Sequence, residues 1–395
     1  MENEKKVMDN YVEAFGSMEA LIQSADEQMK SDVWQKSPIN EIFTSPIKGT
    51  TDLADAIPTG TPEANLPAFI GESEIVLTYS VGDTVEAEAS TGLSYDPIST
   101  YGKGLLRPQA LSDVFARAKI SGEGLRVIST EELTKILNTI LPKWSKEALL
   151  LIRYGKITAI HSAAAGGYVI LPIPELLRAF QEKMEEKFPG YVFEEGCETH
   201  SFTALRVSLP IQKAGLMHTY NKALLAAGKT ACEMCPSVLF YTSDTADSAA
   251  TVAATLKFQK RQDFSVRIGT PIRTDHRSGS TVEMFKESID GLFAQFADGT
   301  ERLIEMLNQK IYYPKNTMYA IAKEVSLSKK YVQMAIDEYV ALNGDEEATA
   351  HDLYFTLGEA NCYAKNNGES QSKLLDMEEA LARSLFLSWK SYDHA

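Results

Sequence analysis

The order of elements between residues 148 and 208 restricts the fold of this chain more than any other feature. ALLLIRY and GKITAIHS (148–162) predict two strands joined by a tight turn at Gly155–Lys156, which is a hairpin. GGYVILP predicts a third strand, and Pro174 with Glu175 opens an amphipathic helix, PELLRAFQEKMEEKF. YVFEEGCE and SFTALRVSLP predict two further strands. The order strand–strand–strand–helix–strand–strand indicates an α+β fold with an antiparallel sheet, followed by a mostly helical C-terminal region.

Outside this unit, segments with helical or strand periodicity alternate with loops that are rich in Pro and Gly. Residues 7–36 have helical periodicity, and residues 37–73 are expected to form a loop or linker. The chain from Pro314 onward is predicted to be helical almost to its end. Further expected elements are strands in ESEIVLTYSV, PSVLFYTSD and FSVRIGTPI, helices at 109–119, 130–141 and 216–228, and one or two helices at 281–311 with a break near Asp298–Gly299.

The charge of the chain is unevenly distributed and suggests three regions. Of its 395 residues, 39 are Lys or Arg and 54 are Asp or Glu, which gives a net charge of −15. Residues 1–100 hold 18 of the acidic residues and only 5 of the basic ones. We therefore expect an acidic N-terminal region of helix and loop (1–100), an α+β core domain (101–300) and a helical C-terminal region (301–395). Such an acidic region either attracts a basic partner or is simply a solvated, solubilising surface.

The most basic segment lies at residues 256–286, where seven Lys and Arg side chains accompany three acidic ones. Arginine and lysine bind phosphate when they converge with backbone N–H donors, and Gly269 and Gly279 would allow close approach of the backbone. The alternative is an ordinary solvated face. The residues that we predict to contact phosphate or nucleic acid are Lys260, Arg261, Arg267, Arg273 and Arg277.

Sequence motifs for catalysis or for metal binding are missing. The sequence contains no GxxxxGK[ST], GxSxG or HExxH motif, and its six histidines are scattered without ligand spacing. Cys232 and Cys235 have CxxC spacing, but a structural zinc site would need two more ligands, so we favour two buried thiols. We therefore expect no metal and no cofactor.

Two sets of polar residues contain the residue types of a catalytic site. One is the run Asp275, His276 and Arg277, and the other combines Ser243 and Asp244 with His276. A polar loop after a strand explains the first set, and a chain of this length offers many sets like the second. We name no catalytic residues and favour a protein without enzymatic activity, with an uncharacterised enzyme as an alternative.

Residues 320–340, AIAKEVSLSKKYVQMAIDEYV, match the pattern of a helix-turn-helix unit. Ala322 would lie where the helices touch, and their shared core would be Val325, Leu327, Val332 and Ala335. Ser328 would cap the second helix. The side chains facing a DNA groove would be Ser328, Lys329, Lys330 and Gln333. Ser326 departs from the pattern because it occupies a turn position that favours glycine. The alternative is simple helix–helix packing in an acidic region.

Several segments from about residue 148 onward carry a family resemblance. They are IRYGKITAIHSAAAGGYVILPIPELL, SFTALRVSLP, VLFYTSDTADSAA, IGTPIRTDHRSGST and EEALARSLFLSWKSYD. In their order they resemble the phage/plasmid-like proteins of the family called domain of unknown function 932. The resemblance implies a mobile-element context, and it implies that the first part of the chain is an addition. It implies no chemistry, because none is established for that family.

These patterns together predict a non-enzymatic phage or plasmid accessory protein associated with nucleic acid, with single strands favoured, in element maintenance, DNA metabolism or counter-defence. The alternative is an acidic protein–protein inhibitor or assembly module that acts on a host defence enzyme through residues 1–100. No apolar stretch reaches the roughly 20 residues that span a bilayer, and we see no secretory signal. We expect a cytoplasmic protein without a membrane partner, and accessory proteins of this type often form homo-oligomers.

Overall fold

The computed structural model describes residues 5–47, 56–57, 66–81, 84–85, 101–164, 167–231, 234–258 and 264–395. The strands in these segments are β1 (Val12–Phe15), β2 (Asp32–Pro38), β3 (Phe43–Pro46), β4 (Ile75–Ser80), β5 (Thr84–Val85), β6 (Tyr101–Leu106), β7 (Glu147–Arg153), β8 (Lys156–Ser162), β9 (Val192–Thr199), β10 (Thr203–Ser208), β11 (Met234–Thr242), β12 (Ala250–Phe258), β13 (Ser265–Arg267), β14 (Ile272–Thr274), β15 (Lys310–Ile311) and β16 (Ala348–Thr349).

The α-helices of the same segments are α1 (Met18–Ser31), α2 (Leu66–Ile70), α3 (Leu111–Ala118), α4 (Thr130–Ile140), α5 (Ile173–Lys187), α6 (Lys213–Leu216), α7 (His218–Ala226), α8 (Val282–Ser288), α9 (Leu292–Leu307), α10 (Pro314–Glu324), α11 (Lys329–Asn343), α12 (Ala350–Asn366) and α13 (Gln371–Ser384). Short 3₁₀ helices occupy Ile39–Glu41, Pro108–Ala110, Glu123–Arg126, Leu141–Lys143, Ile289–Gly291 and Trp389–Tyr392. Helices, antiparallel sheets and a helical C-terminal region confirm the predicted α+β class.

The strands described here form two seven-stranded sheets and a two-stranded ribbon. Sheet A has the order β1-β9-β10-β11-β12-β13, and β14 also pairs with β12. Sheet B has the order β3-β4-β6-β8-β7-β2-β5. Paired strands are antiparallel except for β6 and β8, which run parallel. The ribbon joins β15 to β16 beside the C-terminal helices.

The predicted strand–strand–strand–helix–strand–strand unit is divided between the two sheets. The hairpin β7–β8 belongs to sheet B, whereas β9 and β10 follow α5 in sheet A. The hairpin turn is formed by Tyr154 and Gly155, one residue earlier than the predicted Gly155–Lys156, with φ values of +50° and +75° that are typical of two-residue hairpins. The third strand expected at GGYVILP is not found in its described part, where Tyr168 makes an isolated bridge to Arg277. Pro172 ends this segment and has no N–H for a ladder.

The acidic N-terminal region was expected to be helix and loop, but its described part also contributes strands to both sheets. The helix predicted at 7–36 is reduced to α1, which Ser17 caps by accepting a hydrogen bond from the Ala20 N–H. Before this helix, β1 pairs with β9 of sheet A, and after it β2 pairs with β7 of sheet B. The segment expected to be a loop at 37–73 contains β3 and α2. Deleting residues 1–100 would therefore remove strands from both sheets.

The apolar run of β7 is explained by burial of sheet B on both faces. Ala148, Leu150 and Ile152 pack with residues of α3 and α4, whereas Leu149 and Leu151 pack with Trp34 on the opposite face. Alternate side chains of a strand point to opposite faces, so a strand covered on both sides is apolar throughout.

Sheet A has a large core on one face and a smaller one on the other. On the first face, the ring of Phe240 lies between those of Phe180 in α5 and Phe285 in α8, with centroids 5.4 Å away in each case. On the other face, Leu239 and neighbouring residues pack with Leu375 of α13. The helices α12 and α13 therefore cover part of the second face.

The predicted break in the helical segment 281–311 lies at Ile289–Gly291 instead of Asp298–Gly299. Helix α9 continues through Gly299, and this glycine packs directly against Ile268 and Gly269, just after β13. A Cβ atom at this position would lie 2.7 Å from Cβ of Ile268. None of the helices in the described segments is both long and apolar enough to cross a membrane.

Candidate functional site

Two of the residues predicted to bind phosphate are engaged with a carboxylate of α13. Arg267 on β13 is fully buried, and its Nη1 donates to the Tyr241 hydroxyl at 3.2 Å and lies 3.4 Å from Oε2 of Glu379. Arg273 on β14 is partly exposed and forms an ion pair with the same Glu379. The strand that carries Arg267 runs beneath α13, so this guanidinium is withdrawn from solvent.

The other predicted phosphate ligands do not join them. Arg277 is exposed, and its Nε lies 3.6 Å from Oδ2 of Asp275. Lys260 and Arg261 lie outside the described residues. Among the residues that are described, the basic segment 256–286 therefore does not form one exposed phosphate-binding surface.

The predicted helix-turn-helix unit forms from α10 and α11. Ser326 in the turn has a φ of +63°, the left-handed conformation for which glycine is favoured. The next N–H, of Leu327, donates to the carbonyl of Ala322 at 2.8 Å and fixes the turn. Ser328 is the N-cap residue of α11, although its side chain makes no capping hydrogen bond. The predicted shared core is buried at Ala322, Val325, Leu327, Val332 and Ala335.

Two of the four side chains expected to face a groove are exposed in the first turn of α11, and Ser328 is half-buried. Lys329 and Lys330 are exposed, and Gln333 is half-buried with its Nε2 donating to Asp337 at 2.7 Å. Met334 is partly exposed on the same face. The outer face of α11 is therefore basic at its N-terminal end and acidic farther along.

Helix α13 adds cations beside the same end of α11. The ammonium groups of Lys330 and Lys373 lie 4.8 and 6.0 Å from the ring centroid of Tyr331. Arg383 donates through Nη2 to the carbonyl of Val325, at the start of the turn, at 2.9 Å. Basic side chains from two helices thus lie around the turn, but those of α13 are paired: Lys373 lies 2.9 Å from Glu369, and Arg383 lies 3.6 Å from Glu379.

A second candidate site is a cluster of buried charges where the two sheets meet. We call it the charged junction; its members are Asp9, Asp32, Arg107, Arg153, Lys156 and Asp244. Arg153 donates through Nε and Nη2 to the two oxygens of Asp32 at 2.8 and 2.5 Å, and through Nη2 to Asp244 at 2.7 Å. Its Nη1 donates to the carbonyl of His200 at 2.8 Å. Arg153 therefore connects β2 and β7 of sheet B to two turns of sheet A.

Burial and ion pairing shift the pKa values of Arg153 and Asp32 in opposite directions. Burial disfavours the charged form of Arg153, but Asp32 and Asp244 outweigh it and hold the pKa of the guanidinium above its usual value. Burial also raises the pKa of Asp32 to about 6, against the effect of Arg153. At neutral pH one cation thus faces two carboxylates.

The other three residues of the charged junction, Asp9, Arg107 and Lys156, have more positive than negative charge. Oδ1 of Asp9 accepts hydrogen bonds from Nη1 of Arg107 and Nζ of Lys156, both at 2.8 Å. Both basic side chains are fully buried. Burial lowers the pKa of Arg107 to about 10 and that of Lys156 to about 8. Here two cations share one carboxylate.

A stack of rings lies next to the charged junction. The ring of Tyr168 lies between those of His161 and His276, with centroids 3.8 and 5.0 Å away, and Trp34 packs against His161 and Tyr168. The Nε2–H of His161 donates to the carbonyl of Asp244 at 2.7 Å. Burial lowers the pKa of His161 to about 4 and that of His276 below its usual value. These histidines are therefore uncharged at neutral pH.

The two sets of residues considered as catalytic groups are not arranged for catalysis. The hydroxyl of Ser243 donates to the carbonyl of Ser201 at 2.6 Å, whereas His276 contacts Thr242 instead. Asp275 flanks this buried histidine but is itself exposed. Ser243, Asp244 and His276 therefore form no hydroxyl–imidazole–carboxylate relay. In the run from Asp275 to Arg277, only the histidine is buried.

The CxxC pair is only partly within the described residues. Cys235 is buried on β11, and Cys232 lies outside them. In the segments that the structure describes, no group of three or more His, Cys, Asp or Glu residues is arranged to hold a metal ion.

The charged junction was not identified from the sequence. Its local signal is weak: Arg153 and Lys156 flank the turn of an otherwise apolar hairpin, and buried charges of this kind need partners. Those partners, Asp9, Asp32 and Asp244, lie in distant parts of the sequence. Comparisons with protein-family models, with curated proteins and with solved structures give no match.

Proposed function

We propose that this protein is a non-enzymatic accessory protein of a phage or plasmid that binds nucleic acid through the helix-turn-helix of α10 and α11. One observation carries the proposal: the turn between the helices contains Ser326 at a φ of +63°, above a buried core formed by the predicted positions. A left-handed residue is a common way to end a helix, and here it lies at the turn position that the motif specifies, between α10 and α11.

The N-terminal residues of α11 support duplex DNA as the ligand. In helix-turn-helix proteins, the N-terminal residues of the second helix enter the major groove. Ser328, Lys329, Lys330 and Gln333 occupy these positions. Asp337 follows one turn later, so favourable contacts would be confined to the start of the helix. Lys373 and Arg383 lie beside the turn but are paired with Glu369 and Glu379, so Lys329 and Lys330 are the cations offered to the phosphates.

Duplex DNA replaces the single strand that the sequence favoured. A single strand is bound along a groove of cations with aromatic stacking platforms. The basic segment 256–286 offers no such groove in its described part, because Arg267 is buried and Arg273 is paired with Glu379. The net charge of −15 repels DNA from most of the surface, so binding would depend on the local contacts of α11.

The test is a binding measurement with the double variant Lys329→Ala/Lys330→Ala. Fluorescence anisotropy with a pool of random-sequence duplexes and with a matched single strand would be recorded at several salt concentrations. We expect the wild type to prefer the duplex. In the variant, the negative slope of log K against log salt should become shallower by about 2, one for each lysine lost.

The matched control is Lys135→Ala/Lys143→Ala, which removes two exposed lysines from the sheet B side of the molecule. It should bind like the wild type, and both double variants should keep the wild-type melting temperature. The proposal is wrong if the wild type does not bind the duplex pool, or if both variants bind equally well.

A further inference from the structure

A cavity of about 280 Å³ opens beside the charged junction, enclosed by α1, β2, the ends of β7 and β11 and the segment that leads into α5. Ligand sites commonly lie where two structural layers meet, and their volumes are roughly 300–1,000 Å³. This cavity lies between the two sheets and is slightly smaller than that range.

The polar wall of the cavity is formed by Asp32, Arg153 and Asp244. All three are more than nine-tenths buried. Four hydrogen bonds already engage Arg153: three to the two carboxylates and one to the carbonyl of His200. The wall therefore carries two negative charges and one positive charge, and the cation is occupied. An anionic ligand would be repelled here.

Gln28, one of the residues that line this cavity, has a side-chain oxygen without a partner in the described part of the chain. Gln28 of α1 is only 2% exposed, and its Oε1 is buried without a hydrogen-bond partner among the described residues. Leaving a buried acceptor unpaired costs about 1–3 kcal/mol. A donor group inside the cavity would satisfy it.

The remaining wall is apolar. Met29, Ile170 and Ile173 line it together with two prolines, and the indole of Trp34 lies next to Asp32 on β2. Indole rings attract cations as well as apolar groups. The cavity thus suits a molecule with hydrogen-bond donors at one end and an apolar body at the other.

We propose that this cavity binds a small organic cation, an amine or amidine with an apolar or aromatic body. Its charged end would lie between Asp244 and Gln28, and its body against Met29, Ile173 and Trp34. This inference does not depend on the proposed DNA binding, since the cavity is built from residues outside the helix-turn-helix.

The test is isothermal titration calorimetry with tryptamine, phenethylamine and benzamidine, each at up to millimolar concentration. Indole-3-propionate is the matched anionic control, because it has the ring of tryptamine with a carboxylate in place of the amine. We expect at least one of the amines to bind with 1:1 stoichiometry and to raise the melting temperature. Indole-3-propionate should do neither.

The variant that links binding to the cavity is Gln28→Met, which removes the amide and keeps the side-chain length. It should weaken binding of the amine at least tenfold. Gln23→Met, on the exposed face of the same helix, should bind like the wild type. The proposal is overturned if none of the three amines binds, if the carboxylate binds equally well, or if Gln28→Met retains wild-type affinity.

Discussion

The charged junction and the helix-turn-helix contain the same types of basic residue in opposite surroundings. Arg153 and Lys156 are at most 2% exposed, and each meets a carboxylate within 2.8 Å. Lys329 and Lys330 are exposed, and the ammonium group of Lys330 faces the ring of Tyr331. The junction cations are therefore committed to holding the sheets together, whereas those of α11 remain available to an external anion.

The energetic consequences of these surroundings differ. Burying a charge costs several kcal/mol, and a partner must offset this cost. Removing one member of a buried pair therefore leaves the other unpaired in the interior, whereas removing an exposed charge changes stability by less than about 1 kcal/mol. The comparison predicts where a lost cation affects folding and where it affects only binding.

The largest expected effect is that of Arg153→Met. It should lower the free energy of unfolding by about 3–5 kcal/mol or prevent folding, because Asp32 and Asp244 would be buried together without a cation. Urea denaturation followed by circular dichroism measures the change. The control, Arg178→Met, removes an ion pair with Asp26 at the surface between α5 and α1 and should cost less than about 1 kcal/mol. Equal losses in the two variants would remove the distinction between the regions.

A smaller effect is expected from pH, through His200 beside the charged junction. Its Nε2–H donates to the carbonyl of Met8 at 2.7 Å, and burial together with Arg107 lowers its pKa to about 2. An unfolded histidine binds a proton below about pH 6.5, but the folded one does not, so stability is lost as the pH falls below that value. Between pH 7 and 5 this histidine should cost about 2 kcal/mol.

The measurement compares the wild type with His200→Gln, which keeps a hydrogen-bond donor. Asp32 acts in the opposite direction, because its raised pKa of about 6 makes the folded state bind a proton more readily than the unfolded state. Asp32 contributes equally in both proteins, so the difference between their stability changes with pH reports the contribution of His200. Wild type should lose about 2 kcal/mol more than the variant between pH 7 and 5. Parallel pH profiles would show that His200 is not held neutral.

The smallest effect is expected in the helix-turn-helix, where Ser326→Gly should raise the free energy of unfolding by about 0.5–1 kcal/mol. A left-handed conformation costs an L-residue about 1–2 kcal/mol, and the greater backbone entropy of glycine in the unfolded chain offsets part of the gain. Ser328→Gly, at a residue with a φ of −60°, is the control and should lose a few tenths of a kcal/mol. Urea denaturation of both variants checks the sign, and a loss at Ser326 would contradict the turn geometry.

Elements held together by local contacts could be predicted closely from the sequence. The hairpin of β7 and β8 and the helix-turn-helix depend on residues within about 20 positions of one another, so periodicity and turn residues report them. The N-terminal strands were missed for the converse reason. Asp32 at the start of β2 pairs with Arg153, and Val12 in β1 pairs with Thr199. A short acidic segment does not reveal partners so far along the chain.

The sequence by itself determined the α+β class, the helical C-terminal region and the positions that form the core between α10 and α11, because these follow from side-chain periodicity and backbone preference. Only the tertiary structure decided which cations are buried: Arg267 is withdrawn beneath α13, Arg153 is fixed between Asp32 and Asp244, and Lys329 remains exposed. The physical reason is that ion pairing and desolvation depend on distances in space and on the exclusion of water. Neither quantity is contained in the order of charges along the chain.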